Sequence, residues 1–392
     1  MKKKKNILLI DFCNFEDYPI GGQLSFAKNL MFLFNNELKL IGITTEKSDP
    51  IGKWFKKEIN GIQYDFFALA KYDRTKTKHL IPDRIVSFFL IKFHKKEILK
   101  FNLPNVFIQR PEILLSVKNF GFKNICYRFP GVENALKFSK YKHARYFANY
   151  FDRKFLPSLE IVKSILASAD EVAINNMILR SKGKIKNNSV IKFPTRFNDA
   201  IFKPLNKYRT RNHLGIDNEL IIITTTGRLC WGKGWKFMID CFAEFNKTIS
   251  NSLFYFIGEG EDLDKIKDYI SIKSLQTKIK ILGKKSPGEI ASFLNASDLY
   301  IMGSFKEGWS TTLVEALACG VPICTTNFSG ATEIVTQGVN GFVIENHDVL
   351  TFCKKMTEAV KLDRSILPIP SDVKKYAVST LKTDLLSKWQ LI

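Results

Sequence analysis

A chain of 392 residues exceeds the length at which a single hydrophobic core keeps growing, so two domains are expected. Its net charge of +22 sits almost wholly in the first half: residues 1–196 hold 36 Lys and Arg against 17 Asp and Glu (+19), and residues 197–392 hold 24 against 21 (+3). No run of about 18 apolar residues occurs, which excludes a membrane-spanning helix, and the seven scattered cysteines form no Cys-x-x-Cys pair, which argues against a disulfide framework or zinc site and for a reducing cytosol.

In chain order, Met1 to Lys5 imitates the start of a leader peptide. The apolar run stops at Ile10, however, and Asp11 follows, so Asn6 to Ile10 reads as a first strand. Pro19-Ile20-Gly21-Gly22-Gln23 then precedes a helical pattern with Leu24, Ala27, Leu30, Met31 and Phe34 on one face. A glycine pair at that turn lets backbone N–H groups face a ligand, and a plain strand-to-helix turn uses the same residues. Lys71 to Lys78 reads as a solvated basic loop. Ile85 to Phe101 mixes aromatic residues with Lys92, Lys95, Lys96 and Lys100, and two readings stay open. It is either an interfacial helix or an ordinary one that packs Ile85, Phe88, Phe89 and Phe93 on the sheet with its lysines in water. Val106 to Gln109 and Asn124 to Phe129 read as strands, leading into Arg110-Pro111-Glu112 and Pro130-Gly131-Val132-Glu133. Arg110, Glu112, Arg128 and Glu133, at or just beyond the ends of these strands, are weaker candidates for ligand contacts.

The second half carries the denser motifs. The apolar run Leu220 to Thr226 reads as a buried strand, and Gly227 to Gly234 (GRLCWGKG) places Arg228 and Lys233 on a glycine-rich loop before a helix. A diphosphate needs compact positive charge close by, and glycines let the backbone approach it. Phe254 to Ile257 is a strand ending in Gly258-Glu259-Gly260. Asp262-Leu263-Asp264 imitates a metal-binding Asp-x-Asp, but it opens a helical stretch, where acids favour the dipole; no catalytic metal or cofactor is expected. Ile279 to Leu282 and Leu299 to Met302 continue the alternation of strand and helix, an α/β pattern with parallel sheets. Phe305 to Val343 then sets Glu307 and Glu315, with seven residues between them, around a turn that leads into a helix. Gly308, Trp309, Ser310, Thr311 and Thr312 would form a helix start whose free N–H groups attract phosphate, while Glu315 could hydrogen-bond a sugar diol. The two carboxylates would bracket a nucleotide diphosphate-sugar. Singly, Glu307 would pass for a solvated loop acid and Glu315 for a surface glutamate.

The Glu307 to Glu315 segment with Ala318-Cys319-Gly320-Val321-Pro322 resembles the signature of family 4 glycosyltransferases, which are retaining enzymes of the GT-B fold. The resemblance is strong over residues 220–345 and loose elsewhere. It implies two Rossmann-like domains with parallel sheets facing across a cleft: residues 1–200 for the acceptor, 201–371 for the nucleotide-sugar, and 372–392 as a helix returning to the first domain. It implies that Glu307 contacts the donor sugar, that Glu315 contacts the ribose, and that Arg228 and Lys233 bind the diphosphate. Gly258 and Glu259 would lie near the nucleotide, and Gly21 and Gly22 would face donor phosphate or acceptor. Pro194 to Pro204 resembles the family's interdomain linker. One departure is Pro130-Gly131, where many members carry His-Gly; none of His79, His94, His143, His213 and His347 fits that slot.

The resemblance implies transfer of a hexose-type sugar to a glycan or lipid-linked acceptor in cell-surface polysaccharide or lipopolysaccharide assembly. The basic first half would meet an anionic membrane surface at the inner face of the cytoplasmic membrane. Nucleic acid is not an expected partner, since no zinc-finger spacing, RNA-binding signature or basic stripe crosses the nucleotide half. A nucleotide-sugar epimerase and a non-catalytic glycan- or membrane-binding protein with a decayed donor site remain the alternatives.

Overall fold

Short apolar strands, most of them followed by a turn and a helix, build two sheets in this chain, one all-parallel and one parallel except for a single hairpin. The computed structural model describes residues 6–19, 21–73, 81–131, 142–185, 190–362, 364 and 373–392. Ile20, the Lys71 to Lys78 loop from residue 74 onward, His79, Glu133 and Asp372 lie outside the described residues, as does the His143 side chain. Contacts divide the chain into residues 1–194 with 382–392, and residues 195–381.

The first unit contains β1 (Ile7–Ile10), α1 (Gly22–Phe34), β2 (Leu38–Thr44), β3 (Trp54–Ile59), β4 (Ile62–Lys71), α2 (Asp83–Phe93), α3 (Lys95–Ile98), β5 (Asn105–Ile108), α4 (Pro111–Val117), β6 (Asn124–Phe129), α5 (Lys142–Phe155), β7 (Ser164–Ala167), α6 (Glu171–Arg180) and β8 (Val190–Lys192). The sheet order is β3-β4-β2-β1-β5-β6-β7-β8. Every pairing is parallel except the β3–β4 hairpin. Asn60 and Gly61 turn that hairpin with positive φ at both positions, 51° and 76°, as a two-residue loop matching the strand twist requires. The inner strands β1, β5, β6 and β7 are buried along their whole length, as strands covered by helices on both faces must be.

The second unit contains α7 (Lys207–Leu214), β9 (Ile221–Thr226), α8 (Trp235–Thr248), β10 (Ser252–Ile257), α9 (Leu263–Ile272), β11 (Ile279–Ile281), α10 (Pro287–Ala296), β12 (Leu299–Met302), α11 (Thr311–Ala318), β13 (Ile323–Thr326), α12 (Ala331–Ile334), β14 (Gly341–Ile344) and α13 (Val349–Ala359). Its all-parallel sheet runs β11-β10-β9-β12-β13-β14. The order reverses beside β9, with β10 on one side and β12 on the other, so the loops leaving β9 and β12 diverge at a switch point. The loops carrying Arg228, Lys233 and Glu307 are those two.

The last helix, α14 (Val378–Lys388), starts in the second unit and continues into residues grouped with the first. Near its start, Phe197 pairs with Ala377 in a parallel bridge, and Arg196 Nη1 donates to the Lys375 carbonyl at 2.8 Å. Beyond it, Trp389 is 1% exposed and donates from Nε1 to Asn124 Oδ1 at 3.0 Å, while Asn105 Oδ1 accepts from the Ile392 amide at 3.0 Å.

Candidate functional site

The site of the second unit is assembled by loops that leave the carboxyl ends of β9, β10 and β12 and bond to one another. The Gly227 amide donates to the Ile257 carbonyl at 2.9 Å, the Leu229 amide to Glu259 at 2.9 Å, and the Phe305 amide to Gly232 at 3.1 Å. Two glycines make this approach possible. At Gly258 (φ 148°) a Cβ would stand 1.8 Å from the Gly227 carbonyl oxygen, and at Gly234 (φ 66°) one would stand 1.8 Å from that of Gly303. No side chain fits either place.

These loops bring Lys233 and Glu307 together. Lys233 Nζ donates to Glu307 Oε1 at 2.6 Å, and Ser304 Oγ donates to the same oxygen at 2.9 Å. Ser304 is itself fixed, its carbonyl accepting from Thr326 Oγ1 at 2.7 Å. Burial works to lower the Lys233 pKa, but the charge and hydrogen bond of Glu307 outweigh it, so the ammonium is held above its ordinary value. Arg228 is not part of this pair. Its side chain is 69% exposed and donates from Nε to Glu261 at 3.0 Å, which leaves the guanidinium at the rim.

Next to the pair, α11 begins at Thr311, and Ser310 caps it by accepting from the Leu313 amide at 3.3 Å. The amides of Thr311 and Thr312 belong to the first helical turn, where N–H groups have no intrahelical acceptor. Thr312 Oγ1 lies 3.1 Å from Ser310 Oγ, and Thr311 Oγ1 donates to Thr195 Oγ1 at 3.0 Å. Trp309 differs from its neighbours, being 5% exposed and packed on Tyr376 and against Gly330, so that its indole belongs to the core and only its backbone is near the turn's surface.

Glu315 is half-buried rather than open to solvent like an ordinary surface glutamate. It lies one turn into α11, where partial loss of solvent pushes its carboxyl up to about 8, and no hydrogen bond to that carboxyl is found among the described residues. The Cys319 thiol nearby is raised to about 12 by burial first and by the Glu315 charge second. Asp262 is buried and accepts from Trp235 Nε1 at 3.2 Å and Lys265 Nζ at 2.7 Å, whereas the Asp264 side chain is 94% exposed. The two acids therefore do not converge, and the helix opening at residue 263 accounts for them. Among the described residues no cluster of three His, Cys, Asp or Glu is placed to hold a metal ion.

Sequence reasoning passed over an aromatic stack beside the pair. Trp231 stacks on Phe305 with ring centroids 5.0 Å apart, and Phe305 stacks on His347 at 4.4 Å. His347 Nε2 lies 3.1 Å from the Gly303 carbonyl oxygen. The stack joins three distant segments, and its only local trace is the aromatic placed two residues before each member of the Lys233–Glu307 pair.

In the first unit, Gly21 and Gly22 open α1, with no atom within 4 Å of where a Cβ would stand on either. Arg128 proves to be a core residue at 1% exposure. It donates to Gln109 Oε1 and Ser168 Oγ, both at 3.1 Å, and its guanidinium lies 4.0 Å from the Phe26 ring centroid. Gln109 in turn donates to Asp11 Oδ2 at 3.1 Å, and Arg110 pairs with Asp11 Oδ1. Glu112 is 5% exposed, with its carboxyl raised by burial. Of the weaker candidates, Arg110 and Glu112 stand at the carboxyl end of β5, while Arg128 is consumed by the core.

Residues 206–378 match the family model "Glycosyl transferases group 1". Curated relatives agree with that match, and solved structures agree in fold. The UDP-Gal:alpha-D-GlcNAc-diphosphoundecaprenol alpha-1,3-galactosyltransferase of Escherichia coli is 27% identical over 166 residues, 40% of this chain and 41% of that protein. The chain's matches cover under half the length of the curated relatives found. Among solved structures, sucrose-phosphate synthase from Thermosynechococcus elongatus superposes with a TM-score of 0.77 at 14% identity, covering 97% of this chain and 98% of that one. HepE of Anabaena, in complex with UDP and glucose, does so with a TM-score of 0.71 at 15% identity, covering 98% of each. At such identities the likeness concerns the fold alone, and the fold is GT-B, with two Rossmann-like α/β domains. The glycosyl transferases group 1 match spans β9 to α13 and hence every loop of the site just described.

Proposed function

We propose that this chain is a retaining, family 4 type glycosyltransferase that moves a hexose-type sugar from a nucleotide diphosphate-sugar to a glycan or lipid-linked acceptor. The observation that carries the reading is the Lys233–Glu307 pair, 2.6 Å apart, beside the open first turn of α11. A cation, unpaired helical amides and a nearby desolvated carboxyl are the groups that a diphosphate joined to a sugar and a ribose would use. Lys233 and the rim guanidinium of Arg228 would stabilise the departing diphosphate, with the amides of Gly308 to Thr312 completing the anion site. Glu307 would hold the donor sugar and Glu315 the ribose diol, with Gly258 and Glu259 near the base.

In a front-face displacement the leaving phosphate oxygen itself takes the acceptor's proton. Pro130-Gly131 in place of His-Gly therefore leaves the chemistry possible, and no metal is required by it. Gly21 and Gly22 would face donor phosphate or acceptor. We assign residues 1–200 to the acceptor and 201–371 to the nucleotide-sugar. The name of the Escherichia coli relative specifies a lipid-linked diphosphate acceptor, and a +19 first half suits an anionic membrane surface at the inner face of the cytoplasmic membrane. Cell-surface polysaccharide or lipopolysaccharide assembly follows as the setting.

The test is a thermal-unfolding panel with UDP, GDP, ADP and CDP and their common sugar conjugates. A ligand at a hundred times its Kd adds about 2.7 kcal/mol, a rise of several degrees. A rise with one base, weakened in Glu315→Ala and unaffected by EDTA, is expected. No rise with any nucleotide, from folded protein, would refute a donor site.

A further inference from the structure

Helix α2 packs on the first sheet with one face and presents a second apolar face to solvent. Ser87 and Ile91 are fully buried, and Val86 and Leu90 pack against the core beside them. This reverses the ordinary-helix reading, in which Ile85, Phe88, Phe89 and Phe93 faced the sheet. Instead Ile81, Ile85, Phe89 and Phe93 are 56, 48, 62 and 82% exposed, and their spacing of four residues puts them in one row along α2 and the turn before it. A second row, one position earlier, holds Arg84, Phe88 and Lys92, and Lys96 continues it into α3. Lys92 Nζ lies 4.4 Å from the Phe88 ring centroid, so its stem runs along the aromatic surface. The acids are turned aside: Asp83 accepts from the Tyr72 hydroxyl at 3.1 Å, and Glu97 stands 3.8 Å from Lys100. The platform is anchored, since Trp54 Nε1 donates to the Glu97 carbonyl at 2.9 Å and Lys95 Nζ to that of Asn119 at 3.0 Å.

We propose that this outward face of α2 is a docking surface for an anionic lipid bilayer, the helix lying in the plane of the interface with Ile81, Ile85, Phe89 and Phe93 inserted and Lys92 and Lys96 on the phosphates, while Arg84 turns towards Glu112. An apolar row flanked by cations on a solvent-facing helix has the chemistry of the headgroup–acyl boundary, about 5–10 Å deep. Charge selects the lipid over a second copy of the chain, because two such faces in contact would set their cation rows against each other. The inference rests on the membrane part of the reading above and locates it at named side chains.

The experiment is co-sedimentation of the full chain with vesicles of phosphatidylcholine alone and of phosphatidylcholine with about a third phosphatidylglycerol, for wild type, F89S/F93S and K92E/K96E. Wild type is expected to bind the anionic vesicles in a salt-sensitive way. F89S/F93S should lose at least about tenfold in partitioning, from the apolar area withdrawn, and K92E/K96E should lose most binding to anionic vesicles. All three should melt alike, since the changed residues are exposed. F89W should shift its emission to the blue with anionic vesicles. Wild-type levels of binding by F89S/F93S would overturn the assignment to this face while leaving a membrane role standing. If wild type binds neither vesicle, the membrane role fails as well, and the nucleotide panel still judges the donor site separately. Self-association abolished by F89S/F93S, with no vesicle binding, would give the face to a second copy and overturn the proposal.

Discussion

Glu315→Gln tests whether α11 holds an uncompensated carboxyl. Desolvation raises the group from 4.5 to about 8 and no hydrogen bond offsets it. Because the folded-state pKa exceeds the unfolded one, the folded chain retains a proton that the unfolded chain has lost. Wild-type stability should therefore fall as pH rises from about 4.5 towards about 8 and level off beyond. At about 1.36 kcal/mol per pH unit the loss is at most on the order of 4–5 kcal/mol, and smaller to the extent that water reaches the half-buried carboxyl. The amide of Gln cannot ionise, so the variant should match wild type near pH 4.5 and exceed it by several kcal/mol at pH 9. The assay is urea denaturation of both proteins from pH 4.5 to 9. Curves that stay parallel over that range, or a variant less stable than wild type at pH 9, would refute a desolvated carboxylate at this position. A nucleotide that supplies the missing hydroxyl partners would also release protons on binding near pH 7. Titration calorimetry in buffers of different ionisation enthalpy reads that release directly.

Lys233→Met should lower turnover at least about a hundredfold by removing a preorganised contact to the leaving diphosphate, while Arg228→Met, at the exposed rim, should cost less; equal turnover of Lys233→Met and wild type in a donor-hydrolysis or transfer assay would reject the anion site. Gly258→Ala should destabilise the second unit by more than about 2 kcal/mol and abolish nucleotide shifts, because its Cβ falls 1.8 Å from the Gly227 carbonyl oxygen. Arg211 is fully buried and pairs with Asp298 at 2.6 Å, so Arg211→Met should cost about 3–5 kcal/mol in chemical denaturation. Trp389→Ala should cost about 3–5 kcal/mol and melt the first unit with little effect on nucleotide binding, which limited proteolysis would localise.

Local pattern reveals what is local. The β9 apolar run, the glycines at 227 and 234 and the Ser310-capped start of α11 are legible because each is written within about one element of sequence. The proximity of Lys233 to Glu307 was legible only through the family resemblance, since 74 positions separate them. Several features escaped. The Trp231–Phe305–His347 stack depends on how three loops meet. The interior place of Arg128 depends on Gln109 and Ser168 waiting for it on neighbouring strands. The orientation of α2 could not be chosen by periodicity, because both of its faces are apolar. The hairpin from Trp54 to Lys71 went unread as well, although Asn60-Gly61 between two strands is its local signal.

The α14 crossing has a consequence for biosynthesis. Residues 382–392 complete the first unit, with Asn105 holding the Ile392 backbone 287 positions away. As the polypeptide leaves the ribosome, the first sheet emerges early but lacks its final partner, whereas residues 195–381 can close on themselves as soon as they appear. The order of maturation is thus the reverse of the order of synthesis, and the earlier half must wait, with its apolar seam for Trp389 open, until the later half has been made.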